Sequence, residues 1–496
     1  MKNLSTSKLS LALALASTIV VTGCNNDDKY TPERPIEFGL KDQSVNPALV
    51  KTLPGFNGIK VNTLISSDDK LEQSPNFIYG AQPDGGGMIK NPNGEGYIMI
   101  TNHEYLRSVS RVFLDKKLKP VKGEYLVNGT GGMWRLCSAT LATPEEHGFG
   151  PTFLTAGESG VESMIHAINP FGDIADRSRT DRTLPALGKA SAENAVPLPK
   201  TAYPGKTVIF IGEDESNPAN SMGQVNMYLS NSVGDMQNGK LYMLRRKDKN
   251  VVETDMQVGS SYDVEFVEYT DVKSSTGAQL AAQTIEKGAI QFARVEDLDY
   301  GKGRPDANRT LYFVATGVSP DKVNPAPGFT MWGRLYKLDL NPRSPLSGKL
   351  TPLIDGGIDP GNSIVNPDNV CVTENFAYIQ EDGDSFYSAN KHDGRIWQYN
   401  LRTKALKPML EMNHRRDDPA FNAKYNSVGS NNLSSWEYGA MYDISDLIGL
   451  PGTFVVNLHP HTWRDEKYKD ADGSGLFTSG SGLEGGQTVI LTNVPR

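Results

Sequence analysis

Hydrophobic and polar positions in this chain fall into short runs that repeatedly end the same way. Tyr97 to Glu104 reads YIMITNHE, Thr152 to Ser159 reads TFLTAGES and Thr207 to Ser216 reads TVIFIGEDES. Thr310 to Gly317 reads TLYFVATG, Phe376 to Ser385 reads FAYIQEDGDS and Thr453 to His461 reads TFVVNLHPH. Each run is made of β-branched and aromatic residues, which suit a strand, and most stop at Glu, Asp, Asn or His. Arranged radially, six such strands would bring their tips to one axis and make an oxygen-rich pocket at the centre of a propeller. A second element supports this reading. NGKLYMLRR from Asn238, GRLYKLDL from Gly333 and GRIWQYNL from Gly394 are strands entered through Gly turns, each behind one of the acid-tipped runs. Tyr262 to Ile290 reads as a strand followed by a helical insertion. Residues 166–205 and 411–432 are polar and read as surface loops. No stretch sustains heptads or a long amphipathic helix.

Composition narrows the partners. The chain has 496 residues, a formal net charge of −8 and no basic run, so nucleic-acid binding is not expected. An acidic protein that takes an anionic substrate needs bound cations to attract it. The counts of 49 Gly and 30 Pro fit many tight turns. At the N-terminus, Lys2 and Lys8 precede the apolar stretch Leu9 to Val21, followed by Thr22, Gly23 and Cys24. Small residues before a single Cys make a lipobox, with Cys24 as the lipidated residue; the alternative is a plain secretory signal. The expected organisation is a lipoprotein signal over 1–24, a polar tether over 25–45 and one propeller domain over 46–496. The expected location is the bacterial cell envelope, on the periplasmic or surface side of the outer membrane. There the protein would be a monomer held to the membrane by its lipid alone. Cys137 and Cys371 read as two buried free thiols, with one disulfide as the alternative.

No nucleophile elbow, phosphate loop or dinucleotide fingerprint stands in a convincing context, so the chemistry falls to carboxylates, Asn and His. Glu213, Asp214 and Glu215 follow one strand, and Glu381, Asp382 and Asp384 follow another. Acids crowded at a buried strand tip repel one another unless a cation compensates, and oxygen clusters suit calcium or a high-valent iron; the alternative is a solvated turn. Arg294 and Glu296 share a side if extended, so the Arg could clamp a phosphate beside a metal-bound Glu, or could form a plain ion pair. Asn366 to Asn369 reads NPDN, which is also an Asx-turn sequence. Asn102 and His459 are strand-tip candidates for contacting substrate, and His461 lies two residues beyond His459. Asp470 to Gly473 reads as a surface turn.

Together the segments NHEY, GTGG, FLTAGE, GED, ARVEDLDY, NPDNV, YIQEDGD and VVNLHP, in this order after residue 90, resemble the PhoX-type alkaline phosphatases of secreted bacterial enzymes. The resemblance implies a six-bladed β-propeller with loop and short helical insertions. It also implies a central cluster of iron and calcium that hydrolyses small phosphomonoesters. The family's acids fall on Glu158, Glu213, Glu296, Glu381 and Asp382, its phosphate-facing Arg on Arg294, and its Pro-Asp-Asn element on Asp368 and Asn369. Catalysis is thereby assigned to Arg294, Glu296 and Glu213. Departures follow: the family's Trp-Leu-Thr-Cys-Glu-Glu falls on Phe153 to Glu158 and loses one of its two acids, and two more bear on the metals. The family's Asn-Cys-Ala-Gly-Gly falls on Asn128 to Gly132, which places Gly129 where an iron-ligating Cys is expected, and the twin-arginine export signal is absent. Both point to calcium alone or to an inactive relative. A calcium-dependent propeller lactonase or esterase and a non-catalytic binding platform are the other readings.

Overall fold

In the computed structural model, residues 39–383, 387, 390–428 and 436–496 are described. Cys24, the tether to residue 38, and Asp384 lie outside them. The fold is all-β and propeller-like, and each of the six acid-tipped runs contains a strand: Tyr97–His103, Thr152–Glu158, Thr207–Glu213, Thr310–Ala315, Phe376–Glu381 and Phe454–His459. The expected six-bladed propeller is not what forms. Hydrogen bonding gives four sheets of three to five strands and one sheet of nine. The nine-stranded sheet arises because Tyr262–Glu268 pairs with Lys240–Arg246 on one side and with Ser347–Asp355 on the other. Both of its edges are thereby satisfied, and no gap separates the strands before it from those after it. The sheet nearly closes on itself. Its two terminal strands, Ala192–Pro197 and Val295–Tyr300, are bridged by Asn194 Nδ2 donating to Asp297 Oδ1 at 2.5 Å.

The acid-tipped strands are not the innermost ones. Each is second in its sheet, behind the strand that precedes it in the chain: Pro83–Lys90, Arg135–Ala142, Ala192–Pro197, Val295–Tyr300, Pro367–Val372 and Glu437–Asp443. These six pack one against the next in a closed ring. Each shifts register against its partner strand near its start, the signature of a β-bulge. Bulges twist a strand and re-aim the residue they contain.

Apolar side chains fill the space between sheets. Phe210, Phe292, Phe313 and Tyr336 pack in one cluster and Trp436, Trp463 and Tyr438 in another, all buried. Burying each such side chain stabilises the fold by roughly 1.5–3 kcal/mol. Helix Gly277–Lys287 stands where the insertion is expected, opened by a reciprocal capping box between Thr276 and Gln279. The stretch 166–205 is not all loop: Ala192–Pro197 is a fully buried strand. Pro419–Tyr425, within 411–432, is a short helix. No helix among the described residues is long and apolar enough to cross a membrane.

Candidate metal centre

The bulges explain the site. The first bulged residue is Asp84, Cys137, Glu193, Glu296 or Asp368, according to the strand, and the sixth strand begins at Glu437. Period-2 alternation would send half of these side chains into the space between sheets. The extra residue turns them toward the axis instead. Three groups of ligand atoms lie within 4.8 Å of one another there: Glu193, Glu296 and Asp368; Asp84, Cys137 and Glu193; Glu104, Cys137 and Glu158. The second bulged residues make a polar tier beneath. Ser138 Oγ donates to Asn369 Oδ1 at 3.3 Å, and Val370 N donates to Asp297 Oδ2 at 3.0 Å.

Two arginines border the cluster. Arg294 Nε and Nη2 meet Asp214 Oδ1 and Oδ2 at 2.7 and 3.2 Å, and Nη2 also reaches Glu296 Oε1 at 2.6 Å. Its backbone is left-handed, with φ 65°, a conformation that is uncommon for a side-chain-bearing residue and is held here by neighbouring backbone hydrogen bonds. Gly223 permits this. A Cβ on Gly223 would lie 3.0 Å from Arg294 N and 2.7 Å from Val295 N. Arg135 Nη1 lies 2.8 Å from Glu104 Oε1 and 3.9 Å from Glu158 Oε2.

Two arginines do not neutralise this many acids. Burial, reinforced by the neighbouring carboxylates, pushes Asp84, Glu193 and Asp368 well above the usual carboxylate range. Glu296 rises in the same way although Arg294 opposes it. Burial, with Asp214 and Glu104 beside it, raises Glu158 to about 7. Burial and the surrounding acids also push the Cys137 thiol up. Asp84 Oδ1 is buried with no hydrogen-bond partner among the described residues. Acids driven toward their neutral forms, an orphaned carboxylate oxygen and a thiol among them form a donor set that fits hard cations, with one softer position at sulfur.

The structure places the residues expected from sequence as follows. Glu158, Glu296, Asp368, Arg294 and His459 are at the axis. Asp382, buried beside them, acts electrostatically on both Arg294 and Glu296. Glu213 is not there. It lines a cavity of about 20 Å³ with Asn226, Tyr269 and Leu280, and its neighbour Asp214 meets Arg294 instead. Successive strand residues face opposite ways, so a one-residue difference decides which acid is used. Glu381 is also turned away. Its carboxylate accepts from Val365 N, Arg395 N and Trp397 Nε1 at 2.9, 2.8 and 2.6 Å. Asn102 ties strands together, its Nδ2 donating to Cys137 O and to Thr155 Oγ1. Gly129 is not where a ligand would stand. A Cβ there would meet the Phe477 ring at 2.4 Å and Leu106 O at 2.9 Å, whereas Cys137 occupies the cluster. Asp472, expected in a surface turn, is buried and accepts from Gly129 N at 2.7 Å. Asp84, Cys137, Glu193, Glu437 and Arg135 were not foreseen. The signal shared by the first four is an acid or Cys near the start of a strand that precedes an acid-tipped one; Arg135 opens the strand that carries Cys137.

No family model matches this chain, and no curated protein does. Among solved structures, Pseudomonas fluorescens PhoX in complex with vanadate, a transition-state analogue, superposes with a TM-score of 0.57 at 14% identity. The match covers 91% of this chain and 98% of that one. The α-L-arabinofuranosidase Arb93A of Fusarium graminearum gives a TM-score of 0.40 at 10% identity, covering 88% and 98%. The PQQ-bound aldose sugar dehydrogenase of Streptomyces coelicolor gives 0.36 at 10%, covering 87% and 98%. The likeness to the first is one of fold, and the fold is PhoX-like.

Proposed function

We propose that this chain is a metal-dependent hydrolase of phosphomonoesters. The observation that carries the reading is Arg294, a guanidinium fork set between Asp214 and Glu296 beside a buried carboxylate and thiol cluster. Glu158, Glu193, Glu296, Asp368, Asp84 and Cys137 would hold the metals, calcium at the carboxylates and iron at the sulfur. Bound there, such ions supply positive charge that binds phosphoryl oxygens and an activated oxygen nucleophile. The protein's own groups do the rest. Arg294 is partly exposed beside the acids, so its guanidinium charge stands where it can draw a phosphoryl oxygen to the cluster. Asp214 and Glu296 hold that fork in place before substrate arrives, which keeps the cost of ordering it out of the reaction. The buried acids give up their protons when metals bind, so loading strengthens as pH rises. The likeness to a phosphatase that takes vanadate supports the reading.

The test is turnover of an aryl phosphate by metal-loaded protein. Glu296→Gln should abolish turnover while circular dichroism stays native, and near wild-type turnover in that variant would exclude the role given to Glu296.

A further inference from the structure

Glu437, His459 and His461 bring one oxygen and two nitrogens within 4.8 Å of one another. Their hydrogen bonds fix what faces the space between them. His459 Nε2 lies 2.9 Å from Pro83 O, and a carbonyl can only accept, so Nε2 carries a proton. In the neutral ring Nδ1 then presents a lone pair. That atom is buried with no hydrogen-bond partner among the described residues, and it lies 3.5 Å from Glu437 Oε2 and 4.0 Å from Glu104 Oε2. A lone pair facing two carboxylates is repelled unless a proton or a metal cation stands between them. His461 is set the other way round. Its Nδ1 lies 3.0 Å from Glu484 Oε2 and its Nε2 3.1 Å from Glu437 Oε2. Glu484 is itself pinned by Arg464 Nη2 at 2.7 Å and Gln82 Nε2 at 2.8 Å. A fixed carboxylate on one ring nitrogen, with the other nitrogen aimed at a shared space, is how proteins orient a metal-ligating histidine.

We infer that Glu437 Oε2, His459 Nδ1 and His461 Nε2 form a nitrogen-rich subsite for a first-row transition-metal ion of the zinc class, distinct from the oxygen-rich acids beside it. Zinc–ligand bonds of about 2.0–2.2 Å put tetrahedral ligands roughly 3.4 Å apart. The 3.5 and 3.1 Å separations of Glu437 from the two rings fall on either side of that value. Two neutral imidazoles select against calcium, which takes oxygen alone. The inference extends the metal-centre reading and rests on it for the adjacent acids, not for these three ligands.

The experiment uses zinc(II) as the probe on chelator-treated full-length protein. X-ray absorption at the zinc edge should show two imidazoles in wild-type protein. A zinc titration should lose more than 100-fold in affinity in His461→Asn and about 10–100-fold in Glu484→Gln, with calcium affinity, titrated separately on the same chelator-treated variants, unchanged in both. Zinc without imidazole scattering would overturn the subsite, as would equal zinc affinity in wild type and His461→Asn. The spectroscopic arm needs no variant, so a misfolded mutant cannot hide the answer. Imidazole-bound zinc without phosphatase turnover would sink the hydrolase proposal and leave this one standing. Turnover without imidazole-bound metal would do the reverse.

Discussion

Arg294 differs from an ordinary surface arginine in its geometry. Its planar fork meets Asp214 with two nitrogens, and a lysine ammonium cannot reproduce that. Arg294→Lys is therefore expected to lower kcat/KM for an aryl phosphate about 10–100-fold, the cost of one or two charge-assisted hydrogen bonds. A steady-state assay on metal-loaded variants reads it, and an unchanged value would remove Arg294 from phosphate binding. Glu381 should behave in the opposite way. Its three donors make it a structural anchor, so Glu381→Ala should lower unfolding free energy by about 1–3 kcal/mol through the donors it strands, with metal content retained. Denaturant titration with elemental analysis separates the two effects. Glu213 and Glu381 show where reading by residue type stops. The sequence marks both as acids at a buried strand end, and only the side of the strand decides that Asp214 and Asp382, one position later, reach the axis.

At the scale of elements, the strands second in each sheet were legible and the innermost ones were not. TVIFIG and TLYFVA show the expected hydrophobicity because both faces are covered by neighbouring sheets. PDGGGMIK and AENAVP do not show it. Their bulges interrupt the two-residue period, and close packing in the ring favours small residues over large apolar ones. Cys137 was missed for the same reason: matching glycines placed the sulfur at Gly129, whereas the strand that enters the ring begins later, at Arg135. Gly85 shows how tight the ring is. A Cβ there would come within 2.4 Å of Ala139 N and 2.6 Å of Cys137 O. Gly85→Ala should therefore destabilise the fold by about 1–3 kcal/mol and should lower metal occupancy with it, since the displaced backbone carries both Asp84 and Cys137. A thermal melt alongside elemental analysis checks this, and full occupancy in a destabilised variant would show that the bulge does not set the ligands.

At the scale of the whole molecule, the acid cluster couples stability to pH and metal. The folded protein holds protons on Glu158, Asp297 and Glu381 at pH values where the unfolded chain has lost them, because burial raises these groups to about 7, about 7 and about 8. A raised folded-state pKa contributes stability that is fully present below the unfolded value and is lost as pH rises through the folded one. Chelator-treated protein should therefore lose melting temperature between about pH 5 and pH 8, and calcium should reduce that decline by the share of Glu158, the one of the three that stands among the candidate ligands. A flat metal-free profile would mean that the acids are compensated some other way. The ring also imposes an order of events on assembly. The strand that carries His459, Phe454–His459, pairs with Gln487–Thr492, which in turn pairs with Lys60–Ser66 from the opposite end of the chain. A chain still being synthesised can form its other sheets early, but this one stays open until residue 492 has been made. Until that seam closes, the axis lacks one wall and the ligands that come with it. On the proposed reading, the part of the metal centre that includes Glu437 and His459 is completed only at the end of folding, as a latch on a finished ring and not as a nucleus around which the ring grows.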